Sequence, residues 1–280
     1  MTVELPDFPV TTHDAPLPVD FVAPLVNPAP NGLYAATTWT EEGTGPTRWL
    51  ASGVEVRGAN FGGEHASGVW GTAWCAPPQV GQTERKEGER PAILDPFDPM
   101  TLWAYDECDL TAPSRAEVRE RAAQILRLEE QSAAEREFAE RLKLDAADLG
   151  DPQTAASLAQ AVGYLEATFG LTNTVGFIHA GIQWAALAAE ARLLTRTGTG
   201  WTTPMGHRWV FGGGYIEGLG DQLIATSPTF GWRNTVQVRE AIDERHNIFA
   251  AIAERSVVIG YEAAVGAVTI TAAPEEPEAP

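Results

Sequence analysis

The sequence of 280 residues is poor in cysteine and has no long apolar run. Its two cysteines, Cys75 and Cys108, are too far apart for a CxxC motif, so two free thiols are expected rather than a disulfide framework. No stretch reaches the roughly 18 apolar residues that a membrane-spanning helix needs. The first residues combine no basic region with an apolar run, so no secretory signal is predicted.

Positive charge is also scarce. The chain has 19 basic and 38 acidic residues, for a formal net charge of −19, and two of the basic residues, Lys86 and Lys143, are lysines. Affinity for nucleic acids comes mainly from Lys and Arg side chains that neutralise phosphates. This balance argues against a protein that grips DNA or RNA, although a protein lying beside packaged DNA could carry it.

The common catalytic and ligand-binding motifs are missing. A glycine triplet at 212–214 follows a strand-like run, but Glu217 stands where a dinucleotide-binding pattern needs its last glycine, and no helix is predicted to follow. His179 and His207 have no metal-ligand spacing, and we expect both to be hydrogen-bonded structural residues. The stretch 174–215 is therefore predicted to be a packing unit whose glycines form a turn.

The remaining candidates are charged residues. Five carboxylates lie in two groups whose spacing does not match a calcium loop, so roles in turns and caps are favoured over a cation site. They are Asp95, Asp98, Asp106, Glu107 and Asp109. His246 is expected on a solvated helix face. Lys86 is expected to be a solvated charge, with a covalent cross-link to a neighbouring subunit as the less favoured alternative.

The N-terminal part of the chain predicts extended structure. Residues 1–31 contain seven prolines, which remove backbone donors and favour extended geometry, yet the segment is rich in apolar side chains. We expect an arm that lies on its own body or on a neighbour. Residues 32–75 show short strand-like runs broken by glycines, which predict a protruding hairpin, and 76–100 predict a polar loop.

The clearest helix follows this loop. Ser114 and Glu117 fit a capping box, and a glycine-free, proline-free stretch then runs to about Asp148, with Gly150 ending the helix. Further helices are predicted over 152–169, 181–194 and 239–254, among strand-like runs that include the closing stretch 255–272. The predicted fold class is α+β.

The order of these parts resembles the major capsid proteins of tailed bacteriophages, whose Hong Kong-type fold is shared with encapsulin shells. Those proteins have an arm, an E-loop, a spine helix, a peripheral (P) domain and an axial (A) domain. The runs IHAGIQWAALAAEARLL and TPMGHRWVFGGGY resemble a helix and the following strand and loop of actinobacteriophage capsid proteins. AERSVVIGYEAAVGAVTI resembles their closing strand.

The resemblance implies a division of the chain and a function. The implied parts are the N-terminal arm (1–31), E-loop region (32–100), spine helix and P-domain (101–195), A-domain (196–245), P-domain return strand (246–273) and disordered acidic tail (274–280). It implies hexamers and pentamers that close into an icosahedral head around double-stranded DNA, with no catalysis, cofactor or metal. Implied partners are a portal and possibly decoration proteins, with assembly in the bacterial cytoplasm. Because the chain starts with the arm, a separate scaffolding protein, or none, is expected.

Large aromatic residues are the predicted contacts between subunits, because tryptophan is enriched at interface hot spots. The candidates are Phe8, Phe21, Trp39, Trp49, Trp70 and Trp74. Packing within the same subunit is the alternative for the tryptophans. Two other functions stay open: an encapsulin-type compartment, and a less favoured hydrolase-type enzyme built around His179 or His207.

Overall fold

The computed structural model describes residues 21–41, 52–63, 66–69, 86–198 and 200–271. Within these ranges the chain forms five helices and twelve strands, which confirms the α+β class. In chain order they are α1 (Leu33–Ala36), β1 (Thr38–Glu41), β2 (Met100–Cys108), α2 (Ala112–Ala147), β3 (Gln153–Ala155), α3 (Leu158–Thr172), β4 (Phe177–Gly181), α4 (Trp184–Glu190), β5 (Thr195–Thr197), β6 (Gly200–Thr202), β7 (Arg208–Gly212), α5 (Tyr215–Gly218), β8 (Gln222–Thr226), β9 (Thr229–Arg233), β10 (Gln237–Asp243), β11 (Ile248–Tyr261) and β12 (Ala264–Ile270). No helix in these ranges is long and apolar enough to cross a membrane.

The predicted long helix is α2, with 36 residues and a length of about 54 Å. Its N-cap is Thr111 rather than Ser114: the Thr111 hydroxyl accepts a hydrogen bond from the Ser114 N–H at 3.4 Å. Proline is tolerated in the first turn, where its missing N–H costs nothing, so the helix begins before Pro113 instead of after it. Asp109 supports the cap by accepting from the Thr111 N–H at 2.8 Å.

The corrected cap gives a small prediction. Thr111→Ala should lower the free energy of unfolding by about 1 kcal/mol, because an N–H at the helix start loses its acceptor. Ser114→Ala should cost less, since its side chain is not the cap. Urea unfolding of both variants measures the difference, and a larger loss for Ser114→Ala would restore the capping box predicted from the sequence.

The first sheet contains β1, β9, β11 and β10 in that order, with β2 also paired to β11. The long strand β11 runs antiparallel to β2, β9 and β10, whereas β1 adds in parallel to β9. In β2, Leu102 and Ala104 are buried while Trp103 and Tyr105 are exposed, so one face of the sheet is covered. The covering element is α2, which packs on β2 and β11 around Phe138.

The second sheet has seven strands in the order β3-β12-β8-β4-β7-β6-β5. Its core is separate from the first and includes Leu165 and Phe169 of α3 with Ile178 and Phe211 of the sheet. β9 and β10 belong to the first sheet and β12 to the second, because the chain crosses between sheets after β8 and again after β11. The predicted A-domain range 196–245 therefore combines strands from both sheets.

The helix predicted over 239–254 is wrong: this stretch forms the hairpin of β10 and β11, paired from Gln237 with Glu254 to Asp243 with Ile248. Pairing with neighbouring strands outweighs the helix propensity of its Arg, Glu and Ala residues. His246 consequently lies in the hairpin turn, exposed, with its Nδ1 2.7 Å from a carboxylate oxygen of Asp243.

Two other predicted helices are shorter than expected. The stretch 152–169 begins with β3, and α3 starts only after Ser157, whose hydroxyl accepts from the Gln160 N–H at 3.2 Å. That helix passes Gly170 and ends at Asn173, which has a left-handed φ of 51°. Of the stretch 181–194, only α4 is helical, because its first residue closes β4 and Arg192 takes a φ of 58°.

Most of the predicted hairpin over 32–75 lies outside the described residues. Its described parts contain α1, β1 and a single bridge in which the Val54 and Phe97 backbones exchange two hydrogen bonds of 2.9–3.0 Å. Cys108 is an exposed free thiol at the end of β2, and Cys75 lies outside the described residues. The tail 274–280 also lies outside them.

Candidate assembly surface

The first described segment of the chain, residues 21–31, lies along α2. A row of polar side chains on one face of the helix holds it, at spacings of three and four residues. We call Gln124, Arg127, Gln131 and Glu135 the polar row. The contacts join Gln124 Nε2 to the Val26 carbonyl (2.7 Å), Arg127 to the Asn27 side-chain oxygen, Gln131 Nε2 to the Asn31 carbonyl (2.8 Å) and the Leu33 N–H to Glu135 (2.9 Å).

The apolar side chains of this segment are not covered by α2. The exposed fractions are 82% for Phe21, 91% for Val22, 57% for Leu25 and 61% for Val26. Residues 21–31 contain no ionisable side chain, in a protein of net charge −19. The segment thus forms an uncharged apolar strip whose backbone is held and whose side chains remain exposed. We refer to it as the apolar strip.

The structure places few of the predicted contact residues at this surface. Phe21 begins the apolar strip, whereas Phe8, Trp49, Trp70 and Trp74 lie outside the described residues. Lys86 is described and exposed.

Trp39 packs against its own chain. Its Nε1 donates to the Tyr34 carbonyl at 2.9 Å, and its ring meets the Tyr34 ring edge-on at 4.9 Å between centroids. The Arg233 guanidinium lies 4.4 Å from the Trp39 ring centroid. A Cβ on Gly231 would come within 2.6 Å of the same ring, so Trp39 fills a close-fitting site.

His179 is fully buried between β8 and α5. Its Nε2 lies 2.9 Å from the Thr226 hydroxyl and its Nδ1 3.1 Å from the Tyr215 hydroxyl. The Thr226 hydroxyl donates to the Ser227 carbonyl at 2.8 Å, so it accepts from His179, whose Nδ1 is left to accept from Tyr215. Burial lowers the pKa of His179 to about 3, so the ring is neutral at physiological pH.

His207 is also buried, and it stacks on Phe169 with 4.2 Å between ring centroids. Its Nδ1 accepts from the Gly176 N–H at 3.4 Å, which links two loops beside the second sheet. Burial lowers its pKa. Both histidines thus serve as packing residues, the role expected from the sequence.

The predicted carboxylate groups have local partners. Asp106 lies 3.1 Å from the Arg121 guanidinium, Glu107 accepts from the Tyr105 hydroxyl, and Asp109 supports the cap of α2. Across the part of the chain that the structure describes, no group of three His, Cys, Asp or Glu residues could hold a metal ion.

The glycine triplet differs from the prediction in one respect. Gly212 ends β7, and the single-turn helix α5 follows, where no helix was expected. The Gly214 N–H donates to Glu135 Oε2 at 2.9 Å. The turn therefore holds an anionic group after all, and this group is a side chain of α2.

A second buried carboxylate, Asp145, lies near the other end of α2. Arg141 Nε is 2.8 Å from both of its oxygens, and the Tyr261 hydroxyl donates to it at 2.6 Å. Arg141 also donates to the carbonyls of Asp95 and Pro96 at 2.6 and 3.0 Å. This network fixes the stretch that enters β2 against α2 and β11.

Sequence reasoning did not find Glu135 or Asp145, although a signal was present. Both fall on the apolar face of α2, three residues before Phe138 and three after Leu142. A carboxylate on the buried side of an amphipathic helix needs a specific partner, because buried polar groups without one are costly. That position marks both residues as candidates.

Comparisons with known proteins find likeness only among solved structures, since no protein-family model and no curated protein matches the chain significantly. A Microbacterium phage Oxtober96 structure is 13% identical, with a TM-score of 0.48, covering 92% of this chain and 96% of the other. The capsid of an empty GTA particle is 10% identical, with a TM-score of 0.48 and coverages of 93% and 95%. A holo-SrpI encapsulin complex from Synechococcus elongatus is 10% identical, with a TM-score of 0.42 and coverages of 63% and 76%.

Proposed function

We propose that this chain is the major capsid protein of a tailed bacteriophage, with a Hong Kong-type fold. In this proposal it assembles as hexamers and pentamers into an icosahedral head that encloses double-stranded DNA. The observation that carries the proposal is the apolar strip: an uncharged extended segment held by backbone contacts with its apolar side chains exposed. The resemblance of the sequence to actinobacteriophage capsid proteins supports it.

The energetics of the strip favour association with other copies. Burying one large aliphatic or aromatic side chain contributes about 1.5–3 kcal/mol, so four such side chains outweigh a single weak contact. Pro24, Pro28 and Pro30 limit the conformations of the strip, which lowers the entropy lost when it is ordered at an interface. The strip carries no charge, so copies can approach there with little of the repulsion expected from a net charge of −19.

The proposed parts follow from this assignment. The arm is 1–31, the E-loop region is 32–100, α2 is the spine helix, the first sheet forms the P-domain and the second sheet the A-domain. The acidic chain would line a DNA-filled head without binding the DNA specifically. The partners we propose are other copies, a portal, and possibly separate scaffolding or decoration proteins. We propose assembly in the bacterial cytoplasm and a final location in the virion.

A structural role fits the histidines better than a catalytic one. His179 and His207 are buried, and their ring contacts are with packing partners. An enzyme built around either would need access for a substrate. We therefore propose a protein without catalytic activity.

The test is electron microscopy of the purified full-length protein. Shells or capsomers are expected, whereas a monomer or a small discrete oligomer would contradict the proposal. Particles that carry protected double-stranded DNA in infected cells support a phage head, and particles that enclose a protein cargo instead support the encapsulin alternative.

A matched pair of variants tests the strip itself. Leu25→Asp with Val26→Asp should prevent shell formation, because two charges would enter an apolar interface, while circular dichroism stays unchanged. Leu171→Asp at the end of α3 is the control, since Leu171 is 89% exposed and distant in sequence from the strip. Normal shells from the double variant would show that the strip is not an assembly contact.

A further inference from the structure

Glu135 connects three parts of the protein through one side chain. It lies in the middle of α2 and is fully buried. Its Oε1 accepts from the Leu33 N–H and its Oε2 from the Gly214 N–H, both at 2.9 Å. One carboxylate thus joins α2, the start of α1 next to the apolar strip, and the glycine turn before α5.

The surrounding backbone is shaped to admit this carboxylate. A Cβ on Gly32 would lie 2.4 Å from Glu135 Oε1, and one on Gly212 would lie 2.6 Å from the Glu135 carboxylate. A Cβ on Gly214 would lie 2.7 Å from the Glu135 Cβ and 2.1 Å from the Ser132 carbonyl oxygen. Gly32 also has a φ of 91°, which other residues adopt only with strain. Glycine at these three positions leaves the space that Glu135 occupies.

The charges near Glu135 do not neutralise it. Arg136, the next residue on α2, lowers its pKa, and its backbone hydrogen bonds act in the same direction. Desolvation is larger, so burial raises the pKa of Glu135 overall. From the other packed elements, the titratable groups that face it are Tyr34 of α1 and Tyr215 of α5, and both are neutral because burial raises their pKa.

Tyr34 brings further charges to the neighbourhood. The groups that act on it include Glu130 of α2, Arg255 of β11 and Arg233 of β9. Glu130 and Arg255 lie 3.5 Å apart as an ion pair. Within the described ranges, no ion pair to Glu135 is present. An ionised Glu135 would therefore be stabilised mainly by backbone N–H groups.

We propose that Glu135 is a proton-dependent clamp for the N-terminal segment, holding it on α2 while protonated and releasing it as the carboxylate ionises. The outer part of the clamp is the segment itself, because Gly32 and Leu33 cover the carboxylate and Asn31 before them is exposed. Lifting the segment is the short route by which water reaches an ionised Glu135. The clamp is independent of the proposed function, since it needs no second copy.

The sign follows from proton linkage. In the released state Glu135 is solvated, with a pKa near the ordinary 4.5, and in the held state its pKa is higher. Protons therefore favour the held state. The opening equilibrium should increase with pH by up to about tenfold per unit above pH 4.5, and level off once the held state also ionises.

Hydrogen exchange of the unassembled full-length protein tests the clamp. Peptides covering 21–36 should lose protection as pH rises from 4.5, after correction for the intrinsic exchange rate. Glu135→Gln, which has no titration, should remove this pH dependence, and Glu137→Gln, an exposed acid two residues away, should keep it. Protection that is flat or increases with pH in the unaltered protein would overturn the proposal, whether or not the Gln variant folds. An identical pH profile for Glu135→Gln would overturn it as well.

Discussion

Replacing Asp145 with alanine should lower the free energy of unfolding by about 3–5 kcal/mol, the range for breaking a buried ion pair from one side. Asp145 is 5% exposed, and Arg141 is largely buried beside it. The variant would leave the Arg141 guanidinium without its carboxylate and the Tyr261 hydroxyl without its acceptor. A buried donor without an acceptor loses its hydration and gains nothing in return.

The packing around this network adds to the expected loss. The Arg141 guanidinium lies 4.1 Å from the Phe97 ring centroid, and Phe97 meets Tyr261 edge-on at 5.0 Å. A Cβ on Gly260 would come within 2.6 Å of the Phe97 ring, so the ring cannot shift far toward β11. Disturbing Arg141 should therefore also loosen the stretch that enters β2.

Urea unfolding with two further variants separates these contributions. Asp145→Asn keeps an acceptor for Tyr261 and the shape of the side chain, so it should cost less than alanine. Tyr261→Phe removes one hydrogen bond and should cost about 1–1.5 kcal/mol. In a double-mutant cycle, Asp145→Ala and Tyr261→Phe should be non-additive, because they share a partner. A loss below about 1 kcal/mol for Asp145→Ala would mean that water replaces the carboxylate at little cost.

Local patterns predicted those parts of the fold whose burial is decided along one element. The apolar spacing of α2 runs through Val118, Ala122, Phe138 and Leu142, and the helix begins within two residues of the predicted start. The strands β7, β8, β11 and β12 have β-branched and aromatic runs that predict them directly. The same reasoning gave His179 and His207 their packing roles.

The errors arise where distant parts of the chain decide the structure. Residues 239–254 contain good helix formers, but β11 pairs along its length with β2, β9 and β10. The strand β2 itself was not predicted, since its buried positions include only Leu102 and Ala104 in the middle of a polar sequence. Division of the chain between two cores depends on which sheet each strand joins, and no local pattern encodes that choice.

The candidate site was predictable in kind but not in its contacts. Prolines and apolar residues predicted an extended arm that needs a surface to lie on. The polar row on α2 reads as an ordinary solvated helix face until the arm is placed against it. The partners of Glu135 are backbone N–H groups of Leu33 and Gly214, which no side-chain pattern could indicate.

The second large effect concerns acid stability and His179. Its pKa is about 3 in the folded protein and 6.5 as a model value, because burial disfavours the charged ring. A depressed histidine pKa means that the unfolded state binds the proton first as pH falls. The contribution to stability is complete above about pH 6.5 and is lost progressively down to about pH 3. Between pH 7 and pH 4.5 the loss should be about 3 kcal/mol, at 1.36 kcal/mol per pKa unit.

Comparison with His179→Gln isolates this contribution, because the other titrating groups are common to both proteins. Glutamine can still donate to Thr226 and accept from Tyr215, but it has no proton to gain. At pH 7 the variant should be less stable, since its shape does not fill the site beside Phe138. The difference should shrink by about 3 kcal/mol at pH 4.5, as only the histidine protein pays the cost of protonation in its unfolded state. Urea unfolding at several pH values measures this difference. Parallel pH profiles for the two proteins would mean that His179 is protonated in the fold, and the neutral ring assigned from its contacts with Thr226 and Tyr215 would then be wrong.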